Sequence, residues 1–515
     1  MNIKTQVVIV GAGPTGLSLA VQFIRYNIDF VIIEKNEKTT AFSKAIAVQA
    51  RTLEIFQQAG LAKKAIQEGR ITNGMNIFYR GKRKAFINIE GLGDGLTPFP
   101  FALSLEQSKT EKLLADYLSE NGKTIHWKSE FTCLTQNNEG VTGYYKNESG
   151  EETGIEAQYL VGCDGARSLV RHQLGFSFEG DTVPKIFYVT DVVLSSSVIN
   201  KDEIFGFLIK GGFVLFFPME GTGHYRVIGI LTDKKEEDAN ITFEDIEEFV
   251  KTQIISPVNF EKVNWFSTYK VHSRKATSFM EGRCFIAGDA AHIHTPAGGQ
   301  GMNTGIQDGY NLAWKIAYVI NGKLSPSVLE TYNTERTKNA KQLLNTTDRM
   351  FDIMAGTNWF WNFVRLKIFP LIAGFVIKNR SLNKRLFPLI SETGISYSDS
   401  ALTLKSSIGK VRAGDRMHYF VFSDRKNIFD YLDAPSFKIL FFGSKENNFD
   451  QLKNLKFKVD VFSFNEIPEN IFGNSSDFYV LLRPDNHISY VGYKIEECKN
   501  ALLKYEAGRL NISQS

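Results

Sequence analysis

Cysteine is scarce in this chain of 515 residues: Cys133, Cys163, Cys284 and Cys498 stand far apart and form no C-x-x-C. That spacing argues against a disulfide scaffold and against a zinc site. An excess of charge is also missing, since 60 Lys and Arg against 56 Asp and Glu leave a formal +4, too small over this length to imply a nucleic-acid partner. Uninterrupted apolar runs are few. The strongest, residues 359–377, is broken by Arg365, Lys367 and Pro370, which is costly in a spanning helix. It predicts a buried or interdomain helix rather than an integral membrane segment, with peripheral membrane contact as the alternative. Met1-Asn2-Ile3-Lys4 runs straight into the first strand and leaves no room for a signal peptide, so the cytoplasm is the expected compartment.

Apolar content of 43% and charged content of 23% are those of an ordinary globular chain of two to four domains. The 41 Phe residues are abundant; core filling accounts for most, and a flat aromatic ligand would favour the same lining.

The chain is organised around residues 5–34. Thr5-Gln6-Val7-Val8-Ile9-Val10 reads as a strand, Gly11-Ala12-Gly13-Pro14-Thr15-Gly16 as a glycine turn opening a helix, and Phe30-Val31-Ile32-Ile33-Glu34 as a second strand ending in a carboxylate. In such a βαβ unit Gly11 permits the tight turn, Gly13 lets a pyrophosphate approach the backbone and Gly16 allows close helix packing. Glu34, eighteen residues after Gly16, is placed to accept from a ribose diol. Dinucleotide binding follows. Lys35 opens a polar loop in which Lys44, and beyond it Arg51, are either surface charges or phosphate and flavin contacts. Gln107, at the start of a helix, either bonds a cofactor or caps the helix.

Further on, Tyr159-Leu160-Val161-Gly162-Cys163-Asp164-Gly165 reads as a strand returning to the parallel sheet. Strands over 187–194, 204–210, 213–217 and 225–231, with Gly211-Gly212 as a hairpin turn and a helix capped by Thr242, predict an inserted antiparallel sheet forming one wall of a pocket. The chain then gives Gly288-Asp289-Ala290-Ala291-His292, the loop Pro296-Ala297-Gly298-Gly299-Gln300-Gly301-Met302-Asn303 and a helix with a 3.6-residue apolar period. The free N–H groups of that helix start would stabilise negative charge on the N1–C2=O side of a reduced flavin, and Asp289 could accept from a ribityl hydroxyl. His292 and His294 make an H-x-H with no further ligand at metal spacing, so no metal is expected.

Gly11–Gly16 with Glu34, Cys163-Asp164-Gly165, and Gly288-Asp289 with its glycine loop occur in an order and spacing that resemble the class A flavoprotein monooxygenases, the aromatic hydroxylases of the p-hydroxybenzoate and phenol hydroxylase type. The resemblance is close over residues 1–345. It implies FAD as cofactor, NADPH or NADH as a transient co-substrate without a domain of its own, and oxygen transfer from O2 to a small phenolic or polycyclic aromatic substrate through a flavin C4a-hydroperoxide. The cofactor contacts it implies are Gly11, Gly13, Pro14, Thr15, Gly16, Glu34, Lys35, Lys44, Arg51, Gln107, Asp164, Gly288, Asp289, Pro296, Gly299, Gly301, Met302 and Asn303. Lys44 stands where the family commonly carries arginine, and a single ammonium cannot reproduce a bidentate guanidinium.

The implied fold class is α/β. A Rossmann-like FAD-binding domain spans 1–175 and 271–345, with an antiparallel substrate sheet inserted at 176–270. A helical linker at 346–395 leads to a thioredoxin-like C-terminal domain at 396–515, whose single cysteine, Cys498, cannot perform dithiol exchange; a structural or oligomer-contact role, such as a homodimer, is expected. No catalytic base is nominated: His224, Tyr225 and Arg226 on the inserted sheet either assist deprotonation of a substrate phenol or, the reading favoured for each, are sheet residues facing solvent. Alternatives are an antibiotic-inactivating monooxygenase of the tetracycline or rifamycin type and, from another class, a non-oxygenating flavin redox sensor or reductase. Trp359-Phe360-Trp361 forms a W-x-W, but without the apolar-proline continuation of flavin halogenases.

Overall fold

The computed structural model describes residues 3–41, 45–199, 202–232, 241–296, 298–356, 358–368, 386–445 and 449–510. Its nucleotide layer is a six-stranded sheet in the order Met280–Glu281, Cys284–Ile286, Tyr159–Gly162, Val7–Val10, Phe30–Ile33, Ile125–His126. The neighbours are parallel apart from the edge hairpin Met280–Glu281 with Cys284–Ile286. Val7, Val8 and Ile9 are fully buried, as the strands of a parallel sheet covered on both faces must be.

The helices Pro14–Arg25 and Gly301–Ile320 pack together beside this sheet. Glycine sets their spacing: a Cβ on Gly305 would run into the Thr15 hydroxyl, and one on Gly309 would lie 3.3 Å from the Leu19 backbone nitrogen. Opposite them lies a four-stranded sheet of Ile3–Lys4, Glu152–Ala157, Val141–Lys146 and Glu130–Gln136, close enough that a Cβ on Gly143 would be 3.0 Å from Leu160.

The second large sheet has eight strands, ordered His292–Ile293, Asn259–Ala276, Phe178–Ser195, His224–Leu231, Gly212–Pro218, Ile204–Ile209, Gly74–Tyr79, Lys82–Asn88. It draws on more of the chain than residues 176–270: the hairpin of 74–88 joins by parallel pairing to Ile204–Ile209. That hairpin lies more than a hundred residues upstream, and strand alternation carries no information about such long-range pairing. On one face Tyr188, Val192 and Val227 pack against Ile246 and Val250 of helix Phe243–Ile254. On the other, Phe187, Phe213, Ile230 and Val271 meet Phe351 and Ala355 of helix Glu330–Ala355.

The solvent-facing reading fails for two residues here. Tyr225 is 5% exposed and Arg226 2%; only His224 sits at the rim, its Nδ1 3.0 Å from the Glu220 carbonyl.

The C-terminal sheet runs Val459–Phe464, Phe437–Phe442, Phe478–Leu482, Ile488–Gly492, with one parallel and two antiparallel pairings, and helix Ile495–Ala507 follows. Part of the phenylalanine excess is spent here: Phe420, Phe422, Phe442, Phe464, Phe472 and Phe478 share one core. A buried ionic chain joins this layer to the nucleotide layer. Arg51 pairs with Glu54 at 3.0 Å, Glu54 with Arg416 at 3.1 Å, and Arg483 with Glu335 at 2.7 Å, while Lys315 reaches Glu335 at 2.8 Å. Burial would raise the Glu335 carboxyl, but Arg483 and Lys315 hold it near 2. Leaving any of these charges unpartnered would cost about 3–5 kcal/mol.

Of residues 359–377, the described part forms the short helix Trp359–Phe363 and the turn Val364–Ile368; the rest lies outside the described residues. Among the described residues no helix is long and apolar enough to cross a membrane.

Candidate cofactor site

Three adjacent parallel strands, Val7–Val10, Tyr159–Gly162 and Cys284–Ile286, end side by side, and their carboxyl ends carry Gly11, Asp164 and Gly288. Ligands of open α/β sheets bind at such strand ends. The approach is close. A Cβ on Gly11, whose φ is +104°, would collide with the Cys163 carbonyl, and one on Gly288 (φ +62°) with the Thr15 hydroxyl. A Cβ on Gly16 would meet the Gly11 carbonyl oxygen. Thr15 therefore touches two of the motifs, and Pro14 starts the helix with no N–H to satisfy.

Glu34 Oε2 accepts from the Ala12 N–H at 2.8 Å, closing the glycine turn, and Oε1 accepts from the Asn36 N–H at 3.0 Å. Lys35 is exposed. Lys44 lies outside the described residues. The Gln107 amide donates to Glu111 Oε1 at 2.9 Å. Burial raises the Glu111 carboxyl, which also accepts from the Thr40 N–H at 2.8 Å. Asp164 Oδ2 accepts from the N–H groups of Leu169 and Val170 at 2.8 and 3.1 Å, starting helix Leu169–Gln173, and burial raises this carboxyl too. Asp289 lies exposed in the turn Gly288–Ala290.

Arg51 is neither at the surface nor at the strand ends. It is 2% exposed and donates to Glu54 and to the Asp485 carbonyl, the latter at 2.9 Å, so its guanidinium belongs to the interdomain ionic chain. The Asn303 side chain is committed within the protein. Its Oδ1 accepts from the Gln49 N–H at 2.9 Å and the Thr52 hydroxyl at 2.8 Å, while Nδ2 donates to the carbonyls of Ala47 and Gly299, both at 2.9 Å. The amide is saturated by protein, and the N–H groups of Gly301, Met302 and Asn303, in the first turn of the helix, have no intrahelical acceptor. Pro296 accepts the Gly299 N–H at 3.1 Å, and Gly299 turns the loop at φ +64°.

Residues that the motifs did not single out hold this frame. Asp308, fully buried, accepts from the Gly288 N–H at 2.9 Å, from His292 Nε2 at 2.7 Å and from Arg336 at 2.6 Å. Burial would raise its carboxyl, but Arg336 and His292 bring it to about 2. Arg336 continues to the Tyr397 hydroxyl at 2.9 Å and the Thr304 carbonyl at 3.2 Å. Glu392 accepts from the Thr304 hydroxyl at 2.8 Å and from the Gln307 amide, and burial pushes it up to about 8. Asp308 lies off the apolar face Ile306, Tyr310, Ala313, Ala317 and Ile320 and breaks no period, so nothing in the sequence marked it; Arg336, Tyr397 and Glu392 are too distant for spacing to reveal. His294 Nδ1 lies 2.7 Å from the Thr295 carbonyl and so carries the proton. Burial holds the ring neutral, down at about 4. Among the described residues no cluster of His, Cys, Asp and Glu could hold a metal.

Two observations fit this cradle to a dinucleotide. A Cβ on Gly13 would meet nothing within 4 Å, so open space lies over the glycine turn where a pyrophosphate needs it. Asp164 Oδ1 is buried without a hydrogen-bond partner, which a ligand hydroxyl would relieve. A βαβ fingerprint at the strand ends, one dinucleotide cradle among the described residues and a large, mostly antiparallel sheet beside it are the frame of a dinucleotide-dependent oxidoreductase. The chain belongs to the FAD binding domain family of class A flavoprotein monooxygenases, whose model matches residues 4–347.

It is 33% identical over 408 residues to a 6-methylpretetramide 4-monooxygenase of Streptomyces rimosus, covering 78% of this chain and 72% of that one. It is 31% identical to a pentachlorophenol 4-monooxygenase of Sphingobium chlorophenolicum, over 68% and 65% of the two. Among solved structures it matches an anhydrotetracycline hydroxylase of Streptomyces rimosus with a TM-score of 0.79 at 27% identity, over 98% of this chain and 99% of that one. The protein is an FAD-dependent monooxygenase, with NAD(P)H as the co-substrate of its family.

Proposed function

We propose that this chain hydroxylates a phenolic or polycyclic aromatic compound in the cytoplasm, consuming NAD(P)H, a proton and O2 and releasing NAD(P)+ and water with the hydroxylated ring. The observation that carries this reading is the sheet face turned toward the cofactor layer. Strand register puts Trp265, Ser267 and Tyr269 on one side of Asp191 and Arg226, and Phe217, Leu215 and Met75 on the other. All but Arg226 keep part of their surface exposed although they lie between two layers. Asp191 and Arg226 neutralise each other. A broad, mostly apolar floor with no net charge suits a flat ring system, and relatives named for 6-methylpretetramide and pentachlorophenol support the same class.

Bound FAD supplies the redox and oxygen-transfer chemistry. The chain would hold it by the backbone of Gly11, Gly13 and Gly16, by Glu34 and Asp164, and by the turn of Gly288 and Asp289. The N–H groups of Gly301, Met302 and Asn303 would favour negative charge at the reduced ring. The substrate sheet orients the aromatic ring and excludes water. Burial pushes the Tyr269 phenol up to about 12, so at neutral pH it can donate a hydrogen bond to a substrate oxygen but not remove a proton.

The test is purified holoenzyme with NADPH under air and a panel of simple phenols, naphthols and anthracyclic or tetracycline-like polyphenols. The expected result is NADPH loss matched by O2 uptake and a product one oxygen heavier. Reduced flavin persisting in air with no oxygenated product from any member would defeat the proposal. Antibiotic inactivation is the same reaction on a tetracycline-like member of that panel, and loss of antibacterial activity in the product marks it.

A further inference from the structure

Arg226 spans two layers of the molecule. Its Nε and Nη2 donate to the two carboxylate oxygens of Asp191, each at 2.7 Å, on the adjacent strand of the substrate sheet. Its Nη1 leaves the sheet and donates to the Ala45 carbonyl at 2.9 Å. That carbonyl also accepts the Gln107 N–H at 3.1 Å. From Ala45 the chain passes through a segment that three residues, Ala47, Gln49 and Thr52, tie to the cofactor cradle. The Ile46 carbonyl accepts from the Leu105 N–H at 2.7 Å. Ala47, Gln49 and Thr52 all bond the Asn303 amide, and Gln49 Nε2 reaches the Gly298 carbonyl at 3.1 Å.

We propose that Arg226, a residue of the substrate sheet, is a positioning residue for FAD: it latches segment 45–52, and through Asn303 the start of helix Gly301–Ile320, into the geometry that receives the flavin. The guanidinium suits this because one planar group can fork onto a carboxylate and still present a third N–H at a fixed angle. Asp191 serves by pinning that plane. With Arg226 only 2% exposed, the bond to Ala45 is shielded from competition by water. Losing it removes one of the two donors to a carbonyl that also anchors the start of the Gln107 helix, and slack in segment 45–52 reaches the glycine loop through the side chains of Asn303 and Gln49.

The experiment uses deflavinated full-length protein, titrated with FAD by fluorescence quenching, and hydrogen exchange on the same samples. Arg226→Lys keeps a cation against Asp191 but cannot fork and also reach Ala45. It is expected to raise the FAD dissociation constant about tenfold, equivalent to about 1.4 kcal/mol, and to speed exchange of the Gln49 and Gln107 amides, while the thermal midpoint of the apoprotein stays near that of wild type. Asp191→Asn, which keeps the guanidinium but loosens its plane, is expected to fall between the two, and it carries the test should Arg226→Lys not fold. An FAD dissociation constant within about twofold of wild type in the folded variant would overturn the proposal, as would faster exchange with unchanged FAD affinity. No substrate enters the measurement, so a wrong substrate class would leave its outcome unchanged.

Discussion

Asn303→Ala is the sharpest probe of how the cradle is built. The amide makes four hydrogen bonds, to the Gln49 N–H, the Thr52 hydroxyl, and the carbonyls of Ala47 and Gly299, and the residue is fully buried. Truncation leaves the Gln49 N–H and both carbonyls without partners, whereas the Thr52 hydroxyl can turn elsewhere. At about 1–3 kcal/mol for each stranded buried group, and with water entering part of the vacated space, the expected loss is about 3–5 kcal/mol. Asn303→Asp keeps the volume and the acceptor but sets carboxylate oxygens against two carbonyls, so it should lose at least as much. Urea unfolding of the apoprotein, followed by circular dichroism, measures the stability, and a parallel FAD titration measures binding. If Asn303→Ala unfolds within about 1 kcal/mol of wild type yet binds FAD poorly, the side chain contacts the cofactor directly and the cross-tie reading is wrong.

Two glycines of one motif should fail differently. Gly13→Val adds atoms where a Cβ meets nothing within 4 Å, so the apoprotein should keep its thermal midpoint while the purified protein comes off colourless; retained yellow FAD would refute the pyrophosphate placement. Gly16→Ala drives a methyl into the Gly11 carbonyl and should yield little soluble protein, whether or not FAD is added during expression. Glu392 gives a pH signature. Its folded carboxyl sits at about 8 against an ordinary 4.5, so the native state holds the proton longer than the unfolded chain does. The stability it contributes is complete below pH 4.5 and is lost as pH rises to about 8. Glu392→Gln should therefore flatten thermal stability across that window and exceed wild type above it; a parallel decline in both proteins would show that Glu392 does not titrate there.

What the sequence determined by itself is local. Val7–Val10, the turn at Gly11 and the helix from Pro14 were legible because β-branched runs, positive-φ glycines and a 3.6-residue period are properties of neighbouring residues. That Gly11, Asp164 and Gly288 each stand at a strand end was legible because each strand announces its own end, whereas the side-by-side order of the three strands came from the fold. Partners of charged and polar side chains were not. Arg51 and Arg226 carry the same group, yet one is spent on Glu54 and the Asp485 carbonyl, and the other on Asp191 and Ala45. Asn303 sits in a motif that pointed to the cofactor, but its amide is used up on segment 45–52 and the Gly299 carbonyl. Pairing of residues 74–88 with the distant substrate sheet, and the choice of the Trp265 and Tyr269 face toward the cofactor layer, also depended on tertiary structure. A buried charge or amide takes whichever partner the packing of distant elements delivers, and that delivery is a property of the assembled layers rather than of any stretch of chain.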